Sequence, residues 1–371
     1  MATRLRVLFV CSSLTGGGAE RFVSTVLGFL SRDRFAPSLC LLRGERSYPL
    51  PEDVPLADLE KRRPWHLPRA IARLARLLDA LEPDLVLSAF SYPSFVTGNA
   101  LLLSRHRPAW VARVASNPDW SEAGWLRPWM RRLYRRADLV IANSAALCRR
   151  FDRVYPGSRG GARHLSNATD FARIDALARS PVDPPPRGRL RIASVGRLDR
   201  VKRFDLLLDA LAHVRAHHDV ELVLCGEGSE RPRLERRVRR LGLGDRVRLL
   251  GFQANPYPWL AASDVFALTS DMEGLPNALI EAQGLGLAAV ATDCPTGPSE
   301  IVADGSTGLL VPPGDAVAFA EALGALLGDP SRRRAMGAAA RTRARERHAA
   351  PEVTLALEAL LLEAAARRPA A

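Results

Sequence analysis

Lysine is almost missing from this chain. Only Lys61 and Lys202 occur among 53 Lys and Arg residues in a total of 371. The formal net charge of +13 is therefore carried by arginine. Those arginines are interleaved with acids along many stretches, and no nucleic-acid recognition motif accompanies them, which excludes a nucleic-acid binder. An arginine bias this general follows coding composition rather than any one partner. The 5 cysteines, Cys11, Cys40, Cys148, Cys225 and Cys294, are scattered and never form a C-x-x-C pair. That excludes a disulfide framework or a zinc ribbon and fits a reducing compartment. The chain also has little that could cross a membrane. Its one uncharged window of spanning length, "LVLSAFSYPSFVTGNALLLS" (85–104), is interrupted by Pro93, Gly98 and Asn99, and predicts a buried strand, a turn and a helix start. No charged segment leads an apolar stretch at the start, so "RLRVLFVCSS" reads as a first strand rather than a signal peptide.

What is present is an ordinary globular composition, 47% hydrophobic and 25% charged, long enough for two domains. Near-continuous apolar runs alternate with amphipathic helical runs, the pattern of parallel sheets covered on both faces. The first half offers strands at 5–13, 36–43, 84–91, 109–116, 137–144 and 162–168. A proline-rich stretch, "RSPVDPPPRGR" (179–189), then lacks any periodicity and marks a linker. The alternation restarts at 190–197, 220–228, 246–252, 264–270, 287–293 and 307–315. These patterns predict two doubly wound α/β domains facing a cleft: 1–180, a linker at 181–189, and 190–345. A terminal helix over 346–371 is expected to pack back on the first domain. Ligands in such sheets bind beyond the carboxyl ends of the strands, so the informative residues should follow strands.

After the first strand comes "SSLTGGGAERF". Gly16, Gly17 and Gly18 let backbone approach a ligand, and the following helix offers free N–H groups and a positive dipole end. The dinucleotide fingerprint fails, because Arg21 occupies the position of its third glycine. After the first strand of the second half comes "SVGRLDRVKRFD". Gly196 permits a tight exit, and Arg197 with Lys202 forms a cation pair suited to a diphosphate. The turn "EGSE", beginning at Glu227, is shaped to lie along a base or ribose. The stretch "SDMEGLPNALIEAQGLG" places Gly274, Leu275, Pro276 and Asn277 at a helix start, with Pro276 at its first position and backbone N–H groups facing an anion. Glu273 on the loop and Glu281 further along the helix can accept hydrogen bonds from sugar and ribose hydroxyls. Two other readings of the acids exist: a glycosidase acid and base, and a D-x-E metal clamp from Asp271 and Glu273. Two further clusters, "KRRPWHLPR" (61–69) and "WLRPWMRRLYRR" (125–136), mix arginine with tryptophan. They suit either an anionic lipid surface or a solvated helix face with aromatic anchors.

The elements "VGRLDRVKRFDLLLDA", "CGEG", "LGFQANPYPWLAASDVFALTSDMEGLPNALIEAQGLG", "ATDCPTGPSEIV" and "GSTGLLVPPGD", with "CSSLTGGGAER" near the start, resemble the retaining glycosyltransferases of family 4. The resemblance is specific over 190–315 and loose in the first half. It implies two Rossmann-like domains of the GT-B kind and a donor, a UDP-sugar, held as substrate without metal or cofactor. Arg197 and Lys202 would bind its diphosphate, Glu273 the transferred sugar, Glu281 the ribose, and Gly17 and Gly18 the diphosphate or acceptor. It implies acceptors that are glycans or polyprenyl-linked glycans of surface polysaccharides, and a cytoplasmic enzyme at the inner face of the membrane. Many relatives carry a histidine where this chain has Ser116 and Asn117. Those two residues and Glu20 stand as candidates for acceptor or sugar contact. A catalytically degenerate nucleotide-sugar or glycan-binding module is the alternative.

Overall fold

The computed structural model describes residues 4–121, 124–186 and 188–367. The chain divides into two compact units. Residues 170–349 form the second, and the chain on both sides of them forms the first. The division thus falls at Thr169/Asp170 and Ala349/Ala350, not at the proline-rich stretch or at 345/346. The helix Phe171–Leu177 explains the first difference. Its Phe171 ring packs so closely on Gly284 that a Cβ there would lie 2.1 Å from Phe171 Cε1, and the Arg345 guanidinium lies over the ring, 5.1 Å from its centroid. That helix belongs to the second core.

The first unit holds seven parallel strands: β1 (Leu5–Cys11), β2 (Phe35–Leu41), β3 (Leu56–Asp58), β4 (Leu85–Ala89), β5 (Ala109–Val114), β6 (Leu139–Ala142) and β7 (Ala162–His164), in the order β3-β2-β1-β4-β5-β6-β7. The second holds β8 (Leu190–Val195), β9 (Val220–Cys225), β10 (Val247–Gly251), β11 (Val265–Leu268), β12 (Ala288–Thr292) and β13 (Gly308–Val311), in the order β10-β9-β8-β11-β12-β13. Side chains alternate between faces along a strand. On β1, Val7, Phe9 and Cys11 enter one core cluster while Leu8 and Val10 enter another. On β11, Val265 and Ala267 separate from Phe266 and Leu268 in the same way. Helices must therefore cover both faces, which is why the strands read as unbroken apolar runs. The uncharged window at 85–104 becomes β4 and the helix Ser91–Leu103. Among the described residues no helix is long and apolar enough to cross a membrane.

The helix Ala350–Ala366 returns to the first unit. Its Val353, Leu357, Leu361 and Ala364 recur at helical spacing and join the cluster containing Phe9 of β1. Full burial of each leucine stabilises by about 1.5–3 kcal/mol. Glu358 is buried on the same helix and accepts from Ser31 N at 2.7 Å and Arg34 Nη1 at 3.0 Å. Where the chain re-enters this unit, Ala350 N donates to Thr169 O at 3.0 Å. Residues 368–371 of the expected terminal segment lie outside the described ones.

In each unit the winding reverses beside one strand. β1 lies between β2 and β4, and β8 lies between β9 and β11. The crevice at such a reversal, beyond the carboxyl ends, is where a doubly wound sheet leaves room for a ligand.

Candidate active site

In the second unit three strand-end loops interlock at the reversal. The loop after β8 runs in backbone contact with the loop after β9. Gly196 N donates to Cys225 O at 3.1 Å and Leu198 N to Glu227 O at 2.9 Å. A Cβ at Gly226 would lie 1.9 Å from Gly196 O, and one at Gly228 2.3 Å from Leu198 O. The glycines of "CGEG" thus serve a close approach of backbones. The Glu227 carboxylate itself pairs with Arg231.

The loop after β11 is stitched to the same segment. Asp271 N donates to Val201 O at 2.8 Å, and Thr269 Oγ1 donates to Lys202 O at 2.8 Å. These bonds bring Lys202 against a carboxylate 71 residues away. Lys202 Nζ lies 2.5 Å from Glu273 Oε1, and Ser270 Oγ donates to the same oxygen at 2.6 Å. The side chains are 21% and 9% exposed, respectively. Arg203 Nη1 contacts both oxygens of Asp271 at 3.1 Å. Asp271 and Glu273 therefore answer to different cations. Among the described residues no group of three or more His, Cys, Asp or Glu is placed to hold a metal.

The loop after β12 braces this arrangement. Thr292 Oγ1 donates to Ser270 O at 2.6 Å, and Thr296 Oγ1 donates to the Glu273 carbonyl. Gly297 has φ of 97°, and a Cβ there would lie 2.7 Å from Gly274 O and 2.8 Å from Pro276 Cδ. Any side chain at 297 would push on the loop that carries Glu273. Burial raises the nearby Cys294 thiol to about 12, with the Glu273 charge adding to it.

The helix following this loop runs Asn277–Gly284, and no side chain caps it. Pro276 is its cap residue, with φ −71° and ψ 106°, not its first helical residue. Leu275 is buried and Gly274 half-buried. Glu281 lies in the second turn and is 3% exposed. Arg197 stands apart. Its side chain is 78% exposed and its Nε lies 3.0 Å from Asp199 Oδ2. Lys202, Glu273, Ser270 and Thr296 are brought together, then, while Arg197 projects outward. The sequence reading missed Ser270 and Thr296. Their only signal was position, a hydroxyl directly after a strand and one inside "CPTGP".

In the first unit the loop after β1 leads to the helix Gly18–Phe29, with Gly17 as its cap residue. Glu20 folds back over Gly17, where a Cβ would meet Glu20 Oε2 at 1.8 Å. Behind it lies a residue the sequence reading passed over. Arg113 of β5 is fully buried, stacks 3.6 Å over the Phe22 ring and donates to Asn167 Oδ1 at 2.7 Å. Burial lowers this guanidinium to about 9. Ser116 is half-buried. Asn117 is buried, and its Oδ1 accepts from Asp119 N at 3.0 Å, shaping the turn into the short helix Pro118–Ser121.

Two family models match, "Glycosyltransferase Family 4" over residues 16–173 and "Glycosyl transferases group 1" over 180–343. The chain is 31% identical to a Campylobacter jejuni protein named N-acetylgalactosamine-N,N'-diacetylbacillosaminyl-diphospho-undecaprenol 4-alpha-N-acetylgalactosaminyltransferase, over 94% of this chain and 96% of that one. It is 28% identical to the lipopolysaccharide core biosynthesis glycosyltransferase LpsD of Rhizobium meliloti, over 92% and 93%. Among solved structures, Anabaena HepE in complex with UDP and glucose superposes with a TM-score of 0.81 at 22% identity, covering 97% of this chain and all of that one.

Proposed function

This chain belongs to the glycosyltransferases, and from that premise we propose that it is a retaining, metal-independent enzyme. It moves a hexose or N-acetylhexosamine from a nucleotide sugar, a UDP-sugar, to a glycan or lipid-linked acceptor at the cytoplasmic membrane face. The observation that carries this reading is the Lys202–Glu273 contact at the sheet reversal of the second unit. It puts a cation and a carboxylate side by side where a donor has phosphate beside sugar. On donor binding, the diphosphate takes Lys202 and the outward Arg197. Glu273, still held by Ser270 Oγ, accepts from a hydroxyl of the transferred sugar. Glu281 takes the ribose hydroxyls, and amides at the start of the helix Asn277–Gly284 face phosphate oxygens.

The reaction follows from those roles. Charge develops on the leaving diphosphate as the anomeric C–O bond breaks, and fixed cations stabilise that charge most at the transition state. A leaving phosphate oxygen takes the proton of the acceptor hydroxyl, whose oxygen bonds the anomeric carbon on the same face. The configuration is thereby kept. Glu20, Ser116 and Asn117 of the first unit are assigned to acceptor or sugar contact, and Gly17 and Gly18 to the donor diphosphate or the acceptor. The Campylobacter relative's name specifies an alpha linkage and a diphospho-undecaprenol acceptor; the name supports the lipid-linked acceptor, and with an α-configured UDP-sugar as donor an alpha product is the retained one.

The test is nucleotide release from purified protein across a panel of nucleotide sugars, with and without a lipid-linked acceptor. Release from a UDP-sugar that rises with acceptor and yields an α-linked product supports the reading. Binding without release would mean the chain is a sugar-nucleotide-binding module. Chelation with EDTA should leave the rate unchanged, and abolished turnover would revive the Asp271/Glu273 clamp.

A further inference from the structure

Four arginines meet around a cavity in the first unit, far along the sequence from the residues assigned to the donor. The cavity has a volume of about 530 Å³, and its lining includes Asp119, Arg127, Arg131, Arg150, Arg153 and Val154. Its walls come from the short helix Pro118–Ser121 and the helices Arg127–Tyr134 and Ala145–Val154. Asp119 is the one acid among these residues. Arg127 Nη2 lies 3.0 Å from its Oδ1, and Arg150 Nε donates to its Oδ2 at 2.5 Å. One carboxylate thus fixes two guanidinium groups while neutralising a single charge. Arg131 Nη2 reaches the carbonyl of Val154 at 3.4 Å, which leaves its charge uncompensated by that contact. The buried Nε of Arg127 has no hydrogen-bond partner. The walls therefore carry an excess of three positive charges, already oriented. Planar guanidinium forks match phosphate oxygens better than any other side chain.

A second observation says what carries the phosphate. Trp125 is 82% exposed and Trp129 is 40% exposed, both on the segment that lines the cavity. Exposed indoles beside cations are the chemistry of a headgroup interface, where the ring sits among lipids and the charge meets phosphate.

We propose that this cavity binds the diphosphate head of a lipid-linked acceptor, with Trp125 and Trp129 entering the membrane interface around the lipid stem. The proposal rests on the glycosyltransferase reading above and assigns its acceptor a polyprenyl-diphosphate class and a docking site. Arg127 and Arg150 hold one phosphate in place, and Arg131 and Arg153 close on the other.

Binding is measured by co-sedimentation with phosphatidylcholine vesicles doped with a polyprenyl diphosphate. The same vesicles carrying an equal charge as phosphatidylglycerol serve as the comparison, and inorganic pyrophosphate serves as a soluble competitor. The unaltered protein should prefer the diphosphate vesicles, and pyrophosphate should compete. Arg131→Gln with Arg153→Gln should weaken binding about tenfold per arginine, or ~1.4 kcal/mol each. Both arginines are exposed, so the melting temperature reports whether the fold is intact. Trp125→Ala should lose vesicle binding while keeping pyrophosphate affinity. Equal binding to both vesicle types would reduce the site to a basic surface and overturn the proposal, as would unchanged affinity in the double arginine variant. Nucleotide release by the unaltered protein is scored separately. If it persists while the vesicle result fails, this proposal falls and the transferase reading stands. If release is absent with every donor, the transferase reading falls.

Discussion

Replacing Lys202 by alanine removes the cation that holds Glu273. The ammonium and carboxylate are 2.5 Å apart, with side chains 21% and 9% exposed. Removing one partner of a fully buried pair costs about 3–5 kcal/mol, and a fully exposed pair is worth under about 1 kcal/mol. Lys202 still meets water, and Ser270 Oγ still donates to the orphaned carboxylate at 2.6 Å. The loss should therefore lie between these limits, at about 1–3 kcal/mol. At roughly 2–4 °C per kcal/mol for a unit of this size, the melting temperature should drop by about 2–12 °C. Catalysis loses more. A charge-assisted contact to the donor diphosphate is worth about 1.5–3 kcal/mol, so sugar transfer should slow by about one to two decades. Calorimetry and nucleotide-release kinetics on the same samples separate the two effects. Glu273→Gln, which keeps the cation, should spare UDP affinity and reduce transfer. A Lys202→Ala protein that transfers sugar at the parent rate would show that the donor's phosphates are held elsewhere.

Arg197→Ala removes an outward, exposed side chain that pairs with Asp199. The melting temperature should hold, because such pairs contribute under about 1 kcal/mol, while donor turnover falls by about one decade. A parallel loss of stability would mean the residue is structural. Gly297→Ala forces a Cβ to 2.7 Å from Gly274 O at a positive φ, a strain of about 1–3 kcal/mol. Thermal unfolding should register that loss, together with a fall in sugar transfer from a displaced Glu273. Glu358→Ala leaves the Ser31 N–H and the Arg34 guanidinium without their acceptor. It should destabilise the first unit by about 1–3 kcal/mol, read by denaturant unfolding, with UDP affinity unchanged.

The central strands, such as β4, β6, β11 and β12, were legible because they are buried on two faces and so read as continuous apolar runs. β3 was not. Its three residues sit at the sheet edge, half solvated, and "LAD" carries no run to detect. The boundary between units was misplaced for a related reason. Prolines mark an irregular chain, but the true division at Thr169/Asp170 is set by where Phe171 packs, and packing across more than a hundred residues leaves no local trace. At the candidate site, the residue types and strand-end positions of Lys202 and Glu273 were visible. Their contact was not, since it depends on Thr269 and Asp271 bonding to the neighbouring loop. Arg113 escaped notice because a charged residue inside "VARVAS" looks like noise until the Phe22 ring and Asn167 are seen beneath it. The arginine–tryptophan cluster at 125–136 was conspicuous, whereas the cavity also needs Asp119, Arg150 and Arg153 from flanking segments.

The hydrogen bond from Ala350 to Thr169 closes a circuit with a consequence for biogenesis. A ribosome releases residues 170–349 before it releases the helix that completes the earlier-made sheet. Domains generally fold as they emerge, first made first. Here the order inverts. The amino-terminal sheet waits with β4 and β5 lacking the helix that packs on them until that helix arrives, so a nascent chain stalled or cut before residue 350 would carry a finished second unit and a sticky, incomplete first one.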